Sequence, residues 1–134
     1  IQECFIMHRR WVSDDSDAVE RLKIQYGTSM CYPLSSMGSH VSVIPNHQVF
    51  RNTPLHTRAN VAYFGTFGYE LDLNKLSDAE IEEVKAQIRF MKEYRELLQF
   101  GTFYRLKSPF NGNETVWMVV SEDKAKHLWA ITEF

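Results

Sequence analysis

Up to Gly101 the sequence alternates between strand-like and helix-like patterns, and after Gly101 only strand patterns follow. Alternation of this kind builds parallel β/α units, with each helix crossing between neighbouring strands. A run of strands without helices builds an antiparallel sheet instead. The expected fold class is therefore α/β, with β/α units giving way to the first strands of an antiparallel β domain.

The individual patterns run as follows. Cys4-Phe5-Ile6-Met7 is a short apolar run that suits a buried strand, bounded by the basic cluster His8-Arg9-Arg10. Val19, Leu22 and Tyr26 share one face of a helix expected from Ala18 to about Tyr26, with Gly27 as its stop. Asp15, Ser16 and Asp17 are all suited to cap it. The stretch from Thr28 to Pro54 is irregular, apart from two strand-like runs at Met30–Tyr32 and Val41–Ile44. So long a connection is usually functional. A short helix is expected within Leu55–Phe64 and a strand over Gly65–Leu73, where Tyr69, Leu71 and Leu73 alternate. Ser77-Asp78-Ala79-Glu80 forms a capping box. Ile81, Val84, Ile88, Met91 and Leu98 then mark a long amphipathic helix that Gly101 stops. Phe103–Leu106 reads as a strand, and Thr115–Val120 with His127–Thr132 reads as a hairpin.

Composition narrows the classes of function. With 134 residues, 44% hydrophobic and 24% charged, the chain has the balance of a soluble globular domain. A net charge of −2 gives no general attraction for nucleic acid or anionic lipid. No apolar run approaches the ~18 residues of a membrane helix. Two cysteines, Cys4 and Cys31, are too few for a disulfide scaffold and read as reduced thiols. The chain begins at Ile1 without a signal-peptide pattern and is expected to be a piece of something longer.

The acidic stretch after Trp11 is the strongest candidate for chemistry. Asp14, Asp15 and Asp17 place three carboxylates within four positions between a strand and a helix. Loops in that place line the active-site face of a β/α barrel. Mutual repulsion in a partly buried site would favour protonation of one of them, as a general acid requires. Spacing alone favours helix capping for the cluster. Trp11 suits either a sugar-stacking platform or the core, and aromatic usage favours the core. His8, His40, His47 and His56 form no helical metal spacing, so no metal is assigned. Ser35 and Ser36 lack a hydrolase elbow. Gly65 and Gly68 make no dinucleotide fingerprint. Arg21 is spaced to pair with Asp17 across one helical turn.

The string from Trp11 to Ser29 resembles microbial α-galactosidases of glycoside hydrolase family 36, whose pattern is W-x-S-D-[ND]-x-D-A-[IV]-x-R-x-K-I-Q-Y-G-T-S. The resemblance continues through Tyr32-Pro33, Ser36–Ser42, Pro45–Gln48, Thr53–Leu55, Thr57-Arg58 and Phe67–Leu73, and covers residues 11 to 107. It implies a retaining glycosidase acting on terminal α-1,6-galactosides such as melibiose and raffinose, without a cofactor. One carboxylate attacks the anomeric carbon in such enzymes, and the other protonates the leaving oxygen and then activates water.

The acid/base implied by the resemblance is Asp14. Trp11 and Ser13 flank it as substrate-binding residues, with Asp17 and Arg21 in support. The implied fold is the C-terminal portion of a (β/α)8 barrel over residues 1–100 and the start of a C-terminal β-sandwich over 101–134. The family's nucleophile lies in an upstream K-W-D-x-N motif that these residues do not contain, so the isolated chain is expected to be inactive. The family's upstream C-x-x-G stretch is not matched either, and no role is carried to Cys4. The implied partner is a galactoside oligosaccharide, with no nucleic acid and no membrane. The full-length protein is expected to be a homotetramer, with the Thr28–Pro54 segment as a candidate interface. Its expected location is the cytoplasm, or outside the cell for a fungal source. The alternative is an inactive relative that binds sugar or assembles with partner chains.

Overall fold

A computed structural model describes residues 11–134. The strand expected at Cys4–Met7 and the cluster His8–Arg10 lie outside the described residues. Helix α1 spans Ala18–Thr28. Asp17 caps it, its Oδ2 accepting hydrogen bonds from the amides of Val19 and Glu20 at 3.1 Å each. The helix does not stop at Gly27 but runs on to a cap at Ser29, whose amide donates to Gln25 O at 2.9 Å. Glycine permits a stop without imposing one. Met30–Tyr32 is not a strand, because its amides are spent on the last carbonyls of α1. Cys31 and Tyr32 both donate to Thr28 O at 3.0 Å.

Strand β1 spans Gly38–Ser42, three residues earlier at its start than the Val41–Ile44 run suggested. Ile44 precedes Pro45, which lacks an amide proton, so the apolar run leaves the sheet at Val43. Helix α2, Leu55–Ala62, falls within its expected range. Strand β2, Thr66–Glu70, pairs parallel with β1 from Gly38 opposite Thr66 to Ser42 opposite Glu70. β2 ends where β1 ends, so Leu73 enters a single helical turn instead of extending the strand. β1, α2 and β2 thus form one parallel β/α unit.

Helix α3 spans Asp78–Phe100, with the capping box at Ser77 and Glu80 formed as expected. It buries Val84, Met91 and Leu98. Gly101 ends it for a steric reason. A Cβ there would lie 2.5 Å from Leu97 O and 2.9 Å from Val120 O, closer than real contacts allow.

Strands β3 (Thr102–Lys107), β4 (Glu114–Val120) and β5 (His127–Glu133) form an antiparallel sheet in that order. Trp117 and Val119 on its inner face are 2% and 0% exposed, whereas Tyr104, Leu106, Trp129 and Ile131 are exposed. Phe64, just after α2, packs on Phe103 and Trp117 with ring centroids 5.9 and 5.3 Å away. One apolar cluster therefore runs from Leu22 and Val41 through Phe64 and Leu98 to Trp117 and Val119. Among the described residues no helix is long and apolar enough to cross a membrane.

Candidate active site

The loop from Trp11 to Asp17 leads into α1 and is braced residue by residue. Ser13 Oγ accepts from the Asp15 amide at 3.0 Å, and Asp15 Oδ1 accepts from the Asp17 amide at 3.0 Å. The Asp17 carboxylate then caps the helix. Aspartate and serine suit these short side-chain-to-backbone bonds, which compete well outside regular structure. Of the three aspartates, Asp17 is buried at 2% exposure and Asp14 is exposed. The burial that the repulsion argument needs thus falls on the capping residue.

Asp14 is left to face solvent. Its Oδ1 accepts a hydrogen bond from Trp11 Nε1 at 2.6 Å, a charge-assisted contact that orients the carboxylate. Trp11 is 64% exposed, so the core reading of this residue is wrong. Its ring stands 5.5 Å from that of His40, tilted by 35°. His40 lies on β1 opposite Gly68 of β2. A Cβ on Gly68 would come within 2.9 Å of His40 Cδ2, so the glycine leaves room for the imidazole. Trp11 and Asp14, named from sequence, are thus brought together with the Trp11 ring beside His40 of β1, and Ser13 lies on the same loop.

Asp17 does not pair with Arg21. Its partner is Arg51, which forms an ion pair with Asp17 and reaches Glu20 at 3.5 Å. Arg21 is buried and turns toward the sheet, donating to Gln25 Oε1 at 3.1 Å and to Gly38 O. Burial pushes its guanidinium down to about 10, against the attraction of Asp15, and leaves it charged at neutral pH. Gln25 continues this buried network to Val61 O and Phe64 O, both at 3.1 Å. Arg58 ties the end of β1 to the start of α2 through Ser42 O and Thr53 O.

Three residues that sequence patterning passed over hold the loop from the β1–α2 connection. Ser42 Oγ donates to Ser16 O at 3.0 Å, Asn46 Nδ2 to Ser16 Oγ at 3.4 Å, and Arg51 pairs with Asp17. Ser42 is the last residue of β1, and Asn46 and Arg51 lie in the irregular stretch after it, where periodicity carries no signal. Among the described residues no group of three or more His, Cys, Asp or Glu could hold a metal ion.

A solvent-facing carboxylate oriented by an indole N–H, on a loop fixed at both neighbouring elements, can give and take a proton without moving its backbone. Residues 4–101 match the family model described as Melibiase. The chain belongs to the melibiase family. It is 57% identical over 126 residues to the α-galactosidase AgaA of Geobacillus stearothermophilus, a match covering 94% of this chain and 17% of that enzyme. It is 55% identical over 114 residues to the α-galactosidase Mel36A of Lactobacillus acidophilus, covering 85% and 15%. A crystal structure of a GH36 AgaA variant in complex with raffinose superposes with a TM-score of 0.94 at 55% identity, covering 96% of this chain and 18% of that one. The melibiase chain thus spans less than a fifth of the length of these relatives, and its relatives are α-galactosidases of α/β fold.

Proposed function

We propose that this chain is the acid/base-bearing part of a retaining α-galactosidase that hydrolyses terminal α-1,6-galactosides such as raffinose. The observation that carries the reading is the Trp11–Asp14 contact on a braced, solvent-facing loop, at the positions that match the family motif. Asp14 protonates the leaving glycosidic oxygen and then takes a proton from the attacking water. Trp11 offers an exposed aromatic face to the sugar. Ser13 already accepts one loop amide, and its hydroxyl proton is directed by whatever the sugar presents. The nucleophile is a second carboxylate supplied from outside residues 1–134.

Residues 1–100 are read as the last β/α units of a (β/α)8 barrel, which the parallel β1–α2–β2 unit supports. Residues 101–134 are read as the start of a β-sandwich. The exposed apolar side chains of Tyr104, Leu106, Trp129 and Ile131 suit a facing second sheet. The assembled protein is proposed to be a cytoplasmic homotetramer. Exposed Val43, Ile44, Val49 and Phe50 give the β1–α2 connection an apolar surface suited to a neighbouring subunit.

The test is hydrolysis of raffinose by the complete enzyme and its Asp14→Asn variant. Replacing the general acid is expected to slow turnover by about 10²–10⁴-fold. The 134-residue chain alone is expected to release no p-nitrophenol from p-nitrophenyl α-galactoside. Wild-type turnover by Asp14→Asn, or hydrolysis by the isolated chain, refutes the assignment.

A further inference from the structure

Asp14 sits on the loop leading into α1, and the position of that loop is set from outside it. The bracing bonds run from Ser13 to Asp15 to Asp17, and Asp17 is where an outside charge enters. That charge is Arg51. Its side chain is 40% exposed, but the backbone that presents it is closed on itself. Asn46, 2% exposed, closes the segment that presents it. Asn46 Oδ1 accepts from the amides of Gln48 and Val49 at 2.9 and 3.1 Å. The Asn46 amide donates to Arg51 O at 3.0 Å, and Asn46 O accepts from the Phe50 amide at 2.8 Å. Phe50 is held at φ 57°, a left-handed conformation that a bulky residue adopts only when its surroundings impose it. A closed loop therefore holds the backbone from which Arg51 reaches a buried carboxylate three residues after Asp14.

We propose that Arg51 is a positioning residue for the acid/base. It touches no reacting atom. Through Asp17 it fixes the 11–17 loop so that the Asp14 carboxyl meets the glycosidic oxygen. The inference rests on the reading of Asp14 given above.

Chemistry supplies a readout that a merely structural role would not move. Cleaving raffinose breaks a bond to a sugar alkoxide, which must receive a proton as it leaves. Cleaving α-galactosyl fluoride releases fluoride, which leaves without one. The ratio kcat/KM covers the steps through that first cleavage. A misplaced acid therefore lowers kcat/KM for raffinose and spares the fluoride, whereas a damaged fold lowers both.

The experiment compares both substrates in the complete enzyme with Arg51→Ala, Arg51→Lys and Asp14→Asn. For Arg51→Ala, kcat/KM on raffinose is expected to fall about 100-fold, the scale of a misplacement near 1 Å, with α-galactosyl fluoride changed less than about threefold. Arg51→Lys is expected to fall between, because an ammonium cannot hold Asp17 and Glu20 together as the guanidinium fork does. Equal losses on the two substrates, or an unchanged raffinose rate, overturn the proposal. Should Arg51→Ala fail to fold, the same substrate ratio in Arg51→Lys decides, and a ratio equal to wild type overturns it. Asp14→Asn separates the two readings. If that variant loses both substrates alike, or neither, the acid/base assignment has failed, whatever Arg51 does.

Discussion

Asp17 carries two duties on one oxygen, and they can be separated by substitution. Its Oδ2 receives the amides of Val19 and Glu20 and the guanidinium of Arg51. Asp17→Asn keeps an amide oxygen that can cap α1 but removes the charge. Asp17→Ala removes both. Loss of an N-cap costs about 1 kcal/mol. The Arg51 side chain is 40% exposed, which holds the ion-pair contribution to at most about 1 kcal/mol. Asp17→Ala should then weaken the first turn of α1 by about 2 kcal/mol and Asp17→Asn by about 1 kcal/mol. At tenfold per 1.4 kcal/mol, amide exchange in α1 should accelerate about 30-fold and about fivefold respectively. Hydrogen-exchange mass spectrometry of the peptide covering α1 reads this directly. An Asn variant as fast as the Ala variant would refute the separation, since the charge alone would then carry the cap. Equal exchange in all three proteins would show that these bonds contribute no local stability.

Two further outcomes follow from packing and burial. Gly101→Ala places a methyl against Leu97 O and Val120 O, so either α3 or β4 must shift. A cost of about 1–3 kcal/mol is expected, seen as a lowered Tm, and an unchanged Tm would contradict the close approach. Burial, helped by Glu83, pushes the Tyr63 phenol up to about 12 and raises that of Tyr69 as well. A folded-state value above the unfolded one gives stability that is complete below the unfolded value, near pH 10, and is lost as pH rises toward 12. Urea midpoints should therefore fall across that window, and Tyr63→Phe should flatten the fall. A midpoint that rises from pH 10 to 12 would reverse the sign.

The parts of this fold that sequence patterning located are those with a local cause. Ser77 and Glu80 satisfy the amides of their own helix end, so the capping box appears without tertiary information. β4 and β5 alternate because one face meets the core and the other does not. β1 was misplaced because Gly38, Ser39 and His40 have little strand propensity of their own and owe their conformation to β2 opposite. Asp14 was legible only through a motif, since an exposed aspartate near a helix start has no physical signature distinct from a cap. The contacts that Arg51 and Asn46 make with the 11–17 loop were illegible because they join residues 30 or more apart in sequence, from a segment with no period. The choice of Arg51 over Arg21 as the partner of Asp17 depends on which way Arg21 turns, toward Gln25 Oε1 and the carbonyl of Gly38 on β1.

The last turn of α1 contains no basic residue to meet the negative end of its dipole. The cation comes from β3. Arg105 Nε donates to Ser29 Oγ at 2.7 Å, and its Nη2 donates to Ser29 O. The family match ends at residue 101, four residues before the arginine that finishes a helix starting at Ala18. A chain cut at that edge would keep every residue of the matched region and lose the group that secures one of its helices. Any swap of the segment after Gly101 between relatives must carry an arginine to this point, or α1 will fray from the end opposite Asp14.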